Sequence, residues 1–245
     1  MRHDCSPNGH PMFDRLKKVL GKDSKAVKPS ATVPAASAAA LDPVSEWAAT
    51  QGFHFSSQPA GAAFAVQGRV GGKPWRMEVG RPSRKYIRGD ELRGRAELGL
   101  DPQVLVVLMN RPLKDALEKQ AYALYTDTLQ TSIDPNLPEE MRLLAMYEET
   151  GWDSIPRPFW SRYSVVSDDR ANALAWLDPL LAQQLMEWPA PAPAADVPFM
   201  LLLLRGKVYL RMQASAGHMP ALQHAAAIFT TACENALGAF GTGSA

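Results

Sequence analysis

The chain has 245 residues, 46% of them hydrophobic and 21% charged. That is enough to bury a sizeable core as one large domain or two small ones, and a formal net charge of +1 argues against a partner held by overall polyanion attraction. Its two cysteines, Cys5 and Cys233, are too few for a disulfide framework, and no apolar leader-like stretch opens the chain, so the expected compartment is the reducing cytoplasm.

Met1 to His10 shows no periodicity. His3, Cys5 and His10 lack the spacing of a structural zinc site, and no metal or cofactor is expected. Either Met1 or Met12 can serve as the start. Met12, Phe13, Leu16, Val19 and Leu20 fall on one helical face, bordered by Arg15, Lys17, Lys18 and Lys22. This spacing predicts a short basic amphipathic helix that can rest on an anionic membrane or dock on a partner. The Ala-, Ser-, Pro- and Lys-rich stretch Lys22–Pro43 reads as a linker. Residues 1–43 are thus a disordered tail with a short helix, and 44–245 a globular domain.

Ser45–Gln51 is the first expected helix of that domain. Ala63–Val70 and Trp75–Val79 alternate around Gly71-Gly72, the signature of a β-hairpin. Arg81–Lys85 breaks the alternation into a loop. Between Arg69 and Arg95, nine basic residues face three acidic ones, a local excess of six. Arg76, Arg84, Lys85 and Arg88 are therefore candidate contacts for an anionic ligand or partner. The competing reading is a solvated strand edge blunted by charge. Nucleic acid is not expected as a partner, because no recognition motif accompanies the basic residues.

Gln103–Met109 predicts a Val/Leu-rich strand. Asn110 is placed to cap the following helix, with Pro112 in its first turn and Leu113, Leu117, Ala121, Leu124 and Thr128 along its face. After a turn-rich connector, Pro138-Glu139-Glu140 opens a helix carrying Met141, Leu144 and Ala145, closed by Gly151-Trp152-Asp153. Phe159–Val166 predicts a strand from its aromatic and β-branched residues. Ser167 can cap a helix bearing Ala171, Leu174 and Trp176. Asp178-Pro179 restarts that helix, with Asp178 as N-cap, and Pro189 ends it. Four prolines from Pro189 to Pro198 predict an extended loop. The apolar run Phe199–Leu204 is too short to span a bilayer and reads as a strand buried on both faces. Arg205-Gly206 turns it into Lys207–Met212, and Leu222, Ala226, Phe229, Cys233 and Leu237 mark a final long helix. The expected fold is α+β, a mainly antiparallel sheet with helices packed on it, with two loosely similar halves, 44–150 and 151–240.

Tyr163-Ser164-Val165-Val166-Ser167-Asp168-Asp169, then Leu177-Asp178-Pro179-Leu180-Leu181, then Gly206-Lys207-Val208-Tyr209-Leu210, resembles the soluble domain of a bacterial protein family of unknown function. Many members of that family carry membrane-spanning helices ahead of this domain. The resemblance covers the last third of the chain, with a weaker echo near Gly68 to Gly80. It implies a fold and a membrane neighbourhood, peripheral to the inner membrane, but no activity. This chain lacks the spanning helices.

No catalytic motif stands out. His54, His218 and His224 adjoin no nucleophile elbow, and Asp168, Asp169 and Asp178 fit capping better than metal binding. Two functions follow. One is a non-enzymatic interaction module that docks on a protein partner or an anionic membrane surface through its tethered N-terminal helix. The other is a small anionic-ligand-binding or enzymatic domain with a basic pocket.

Overall fold

The computed structural model describes residues 41–57, 63–127, 138–214 and 217–241. The chain divides after Thr32, and all of these residues belong to the second unit, Val33–Ala245. His3, Cys5 and His10, the amphipathic stretch with Phe13, Leu16, Lys17, Lys18 and Leu20, and the linker up to residue 40 lie outside the described residues.

Helix α1 (Asp42–Thr50) begins three residues earlier than Ser45, because Pro43 fits the first turn, where its missing N–H costs nothing. Strand β1 (His54–Ser57) precedes the first hairpin, β2 (Phe64–Val70) and β3 (Lys73–Gly80). Its two turn residues, Gly71 and Gly72, both have positive φ (52° and 75°), as a tight two-residue hairpin requires. Strand β4 (Asp90–Glu97) follows, then β5 (Leu105–Asn110) and α2 (Arg111–Asp127). Next come α3 (Glu139–Met146), the two-residue β6 (Glu149–Thr150), α4 (Arg157–Arg162) and β7 (Tyr163–Ser167). The strand expected from Phe159 starts only at Tyr163. Pro158 sits in the first turn of a short helix that carries Phe159 into the core instead.

Helices α5 (Arg170–Trp176) and α6 (Pro179–Met186) are the two pieces expected around Asp178-Pro179. The cap of α5 is Asp169, which accepts from Ala171 N at 2.8 Å, and not Ser167. Asp178 caps α6 by accepting from Leu181 N at 2.8 Å. The second hairpin, β8 (Phe199–Leu204) and β9 (Lys207–Ala214), turns at Arg205 and Gly206, again both at positive φ. Helix α7 (Met219–Phe240) closes the chain, running past Gly238 to a C-cap at Gly241.

All nine strands form one antiparallel sheet in the order β1-β2-β3-β4-β9-β8-β5-β7-β6. The two sequence halves share this sheet: β4 pairs with β9, and β5 lies between β8 and β7. The first face carries the larger core, with Phe159, Trp176, Leu181, Leu185, Ile228 and Phe229 of the helices packed against Trp75, Leu92, Leu201 and Leu210 of the strands. Gly94 in β4 is the fitting place for a residue without a side chain, since an added Cβ would lie 3.0 Å from both Leu210 and Phe229. On the second face, among the described residues, α2 and α3 cover the β8-β5-β7 half, with Tyr209 of β9 packed at its border, and the connection between β3 and β4 covers Glu91 and Arg211. In the helix-covered half, Leu113, Leu117 and Met141 meet Val107, Met109, Val166 and Leu202, in a cluster that includes no residue of β2, β3 or β4.

Candidate functional site: the charged half of the sheet's second face

Strand alternation decides which side chains stand on the β2-β3-β4-β9 half of the second face. Phe64, Val66, Trp75, Met77, Val79, Leu92, Leu210 and Met212 point into the first core. Their neighbours therefore stand on the opposite face, and these are Gln67 and Arg69, Arg76 and Glu78, Glu91, Arg93, Arg95 and Glu97, Lys207, Tyr209 and Arg211. Six cations there oppose three carboxylates, an excess of three positive charges. Gln67, Arg76, Glu78, Arg93, Arg95 and Glu97 line a shallow concavity of about 430 Å³.

The register puts like charges directly opposite one another. Arg76 faces Arg95 across β3 and β4, and Arg93 faces Arg211 across β4 and β9. Opposed like charges destabilise a sheet unless carboxylates intervene, and here they do. Arg93 pairs with Glu78 at 2.8 Å, and Arg211 pairs with Glu91 at 2.8 Å. Glu91 is fully buried and also accepts from Ser83 N at 2.5 Å. Of the Arg76/Arg95 pair, Arg76 is the less satisfied. Arg76 donates only its Nε, to Glu78 at 3.2 Å, and its terminal nitrogens have no partner among the described residues. Arg95 binds Glu97 and lies 6.0 Å from the Tyr209 ring centroid, in cation–π range. Arg76 and Arg95 are also the more open arginines, with side chains 43% and 56% exposed. Gln67, Arg76, Arg95 and Tyr209 are mutual register partners and so form one row across four strands.

A buried ionic knot lies beside this row, at the border where Tyr209 itself packs on the apolar cluster. Glu140, in the first turn of α3, pairs with Arg84 at 2.8 Å, lies 3.4 Å from Tyr86 Oη and 3.6 Å from Arg211 Nε. Burial opposes the charge on Arg84, but the hydrogen bond and charge of Glu140 outweigh it and hold the guanidinium above its ordinary value. Burial, reinforced by the Glu140 charge, pushes the Tyr86 hydroxyl well above the usual phenol range. Both arrangements keep the ion pair intact and Tyr86 neutral.

The four basic candidates thus part company. Arg76 stands on the open row. Arg84 is committed to Glu140. Lys85 and Arg88 are exposed on the β3–β4 connection, where Arg88 N donates to Gln213 Oε1 at 3.1 Å. These basic residues do not blunt a strand edge, because β3 and β4 lie inside the sheet. Arg93, Arg95 and Tyr209 join Arg76 only through strand pairing. The alternation Glu91, Arg93, Arg95, Glu97 was the sequence signal that could have found β4.

The other residues singled out from sequence have structural roles. Asp168 accepts from Leu105 N at 3.2 Å, and Asp169 and Asp178 cap helices. Asn110 does not cap α2; it donates to Ala195 O and Val197 O and accepts from Phe199 N, which fixes the proline-rich loop against β8. His224 Nε2 lies 2.7 Å from Gln184 O. Cys233 is buried and free, and burial holds its thiol far above the usual range. Among the described residues, no group of three or more His, Cys, Asp or Glu is placed to hold a metal ion. No helix among them is long and apolar enough to cross a membrane. A second hollow, about 320 Å³ and mainly apolar, lies between the first turn of α7, the Pro191–Ala194 strap and Phe64, Leu92 and Met212.

No family model matches the chain, and no curated protein matches it. Among solved structures, it is similar to the mycobacterial trehalose monomycolate transport factor A, TtfA. The two are 12% identical with a TM-score of 0.39, over 78% of this chain and 92% of that one. A likeness at that level carries no functional weight.

Proposed function

We propose that this chain is an interaction module and that its docking surface is the part of the second sheet face left open among the described residues, around the Gln67–Arg76–Arg95–Tyr209 row. One observation carries the reading. Among the described residues, helices cover one half of that face, while the other half presents a row in which Arg76 keeps its terminal nitrogens uncommitted beside the exposed Arg95. A sheet face that bears opposed arginines stabilises its own fold poorly, and arginine and tyrosine are the residues that interfaces favour. The free terminal nitrogens of Arg76 make an anionic partner the natural one. The proposed compartment is the cytoplasm, where the buried free thiol of Cys233 needs no partner. Phe13, Leu16 and Leu20 are proposed as a second contact, on a partner or an anionic membrane.

The test is charge reversal on the face. R76E/R95E and the native chain are each expressed in the source cells, and the native complex is sized from gently lysed material. The reading expects a complex with the native chain that the variant loses while still unfolding cooperatively, at a midpoint lowered by the new glutamates beside Glu78 and Glu97. A complex of unchanged size with the folded variant would refute it.

A further inference from the structure

Resting on that docking surface, we infer that its occupant is an extended acidic segment of a protein, recognised by its carboxylates along the Gln67–Arg76–Arg95–Tyr209 row. Charge and dimensions both argue for this class. The row crosses four strands, so at one strand spacing per step it runs roughly 14 Å. That is too long for a single inorganic anion and suits a peptide with several acidic side chains. The guanidinium fork matches a carboxylate in two parallel hydrogen bonds. Arg76 has its terminal nitrogens uncommitted because Glu78 takes only its Nε. A carboxylate can join there without displacing Glu78. Beside it, the Gln67 side chain makes no hydrogen bond with the described residues, and its amide can pair with a peptide backbone group. On the other side, Tyr209 backs the Arg95 guanidinium.

The same residues disfavour a nucleic acid. Glu78 and Glu97 line the concavity beside the arginines. A phosphate backbone, charged at every step, would be driven past both carboxylates, whereas a peptide can place neutral residues there. Nucleic-acid affinity also grows with the number of uncompensated cations. Among the described residues Arg93, Arg95 and Arg211 have carboxylate partners, which leaves the Arg76 terminal nitrogens as an open anchor for one carboxylate and not for a run of phosphates.

The test uses the full chain and a fluorescein-labelled six-residue peptide of alternating glutamate and serine, followed by anisotropy at low salt. The inference expects saturable binding that added salt weakens, with R76Q/R95Q raising Kd about tenfold. K85Q/R88Q removes the same charge from the neighbouring exposed loop and is expected to leave Kd within about twofold. Should the double variant fold poorly, R76Q alone carries the test, since its side chain is 43% exposed and has a single ion pair. Equal weakening by K85Q/R88Q would mean bulk charge and overturn the inference. So would tighter binding of a hexauridylate, or of vesicles containing phosphatidylglycerol, lost in the same variants. If the alternating glutamate–serine peptide does not bind while R76E/R95E still abolishes the cellular complex, the acidic occupant is wrong and the docking face stands. If both experiments fail, the docking face falls as well.

Discussion

Glu140 gives the sharpest test of how the sheet's second face is held together. Its side chain is 2% exposed and engages Arg84 at 2.8 Å and Arg211 at 3.6 Å. Removing one partner of a buried ion pair costs about 3–5 kcal/mol when the other charge is stranded. Here the stranding is incomplete. Arg211 keeps Glu91 and Ser83 Oγ, at 2.8 and 2.7 Å, and the Arg84 side chain is 26% exposed and can rehydrate. Glu140→Ala is therefore expected to cost about 2 kcal/mol, and in a chain of this size to lower Tm by about 4–8 °C. Replacing both partners, R84L/E140L, removes the buried charge along with its counterion and should recover stability to within about 1 kcal/mol of the native chain. Urea unfolding of the native chain, R84L, E140L and R84L/E140L gives the full cycle, with E140A measured beside it. An E140A change below about 0.5 kcal/mol would show that the knot contributes nothing and that apolar packing alone seats α3.

Gly206 and Gly72 both need positive φ (71° and 75°), but an added Cβ at Gly206 would lie 2.6 Å from Leu100 O, while at Gly72 it meets nothing within 4 Å. G72A is expected to cost about 1 kcal/mol of strain and G206A clearly more; equal midpoints in denaturant would refute the close approach of Leu100 to the turn. The hydrogen bond from Lys207, with Arg95 beside it, holds the Glu97 carboxyl below its usual range. A lowered folded pKa stabilises above the unfolded carboxylate value and fades as pH falls through the folded one. E97Q should therefore lose stability near neutral pH and little at low pH, so that the gap to the native chain narrows on acidification; a gap independent of pH would contradict the pairing. In a C5S background, Cys233 should react with a thiol reagent at pH 8 only as fast as the chain unfolds, because burial raises its thiol pKa; rapid labelling of the folded protein would contradict its burial.

Much of the fold was legible where local chemistry and tertiary role agree. The two hairpins follow from turn residues that accept positive φ, β8 from an apolar run buried on both faces, and α6 from Asp178-Pro179. Strand β4 was hidden because its core-facing residues are Leu92, Gly94 and Ala96. Phe229 leaves room for nothing larger at Gly94, so the strand has an inward face that is small instead of conspicuously apolar. Phe159–Arg162 misled for the opposite reason: aromatic residues suit strand and helix alike, and Pro158 in the first turn was the deciding signal. Of the candidate site, Arg76 was legible as part of a basic stretch. Its pairing with Arg95, and the diversion of Arg84 to Glu140 across 56 positions, depend on long-range contacts that no local pattern encodes.

The docking face is tested most directly by photo-cross-linking in the source cells. A photoreactive amino acid is placed at Gln67 or the half-buried Tyr209 on the charged half of the second face, or at Leu174 or Leu180, which are exposed on helices of the other face. Discrete adducts from Gln67 and Tyr209, absent from Leu174 and Leu180 and lost in R76E/R95E, are the predicted result. Adducts confined to the helical positions, or none from the sheet face, would contradict it.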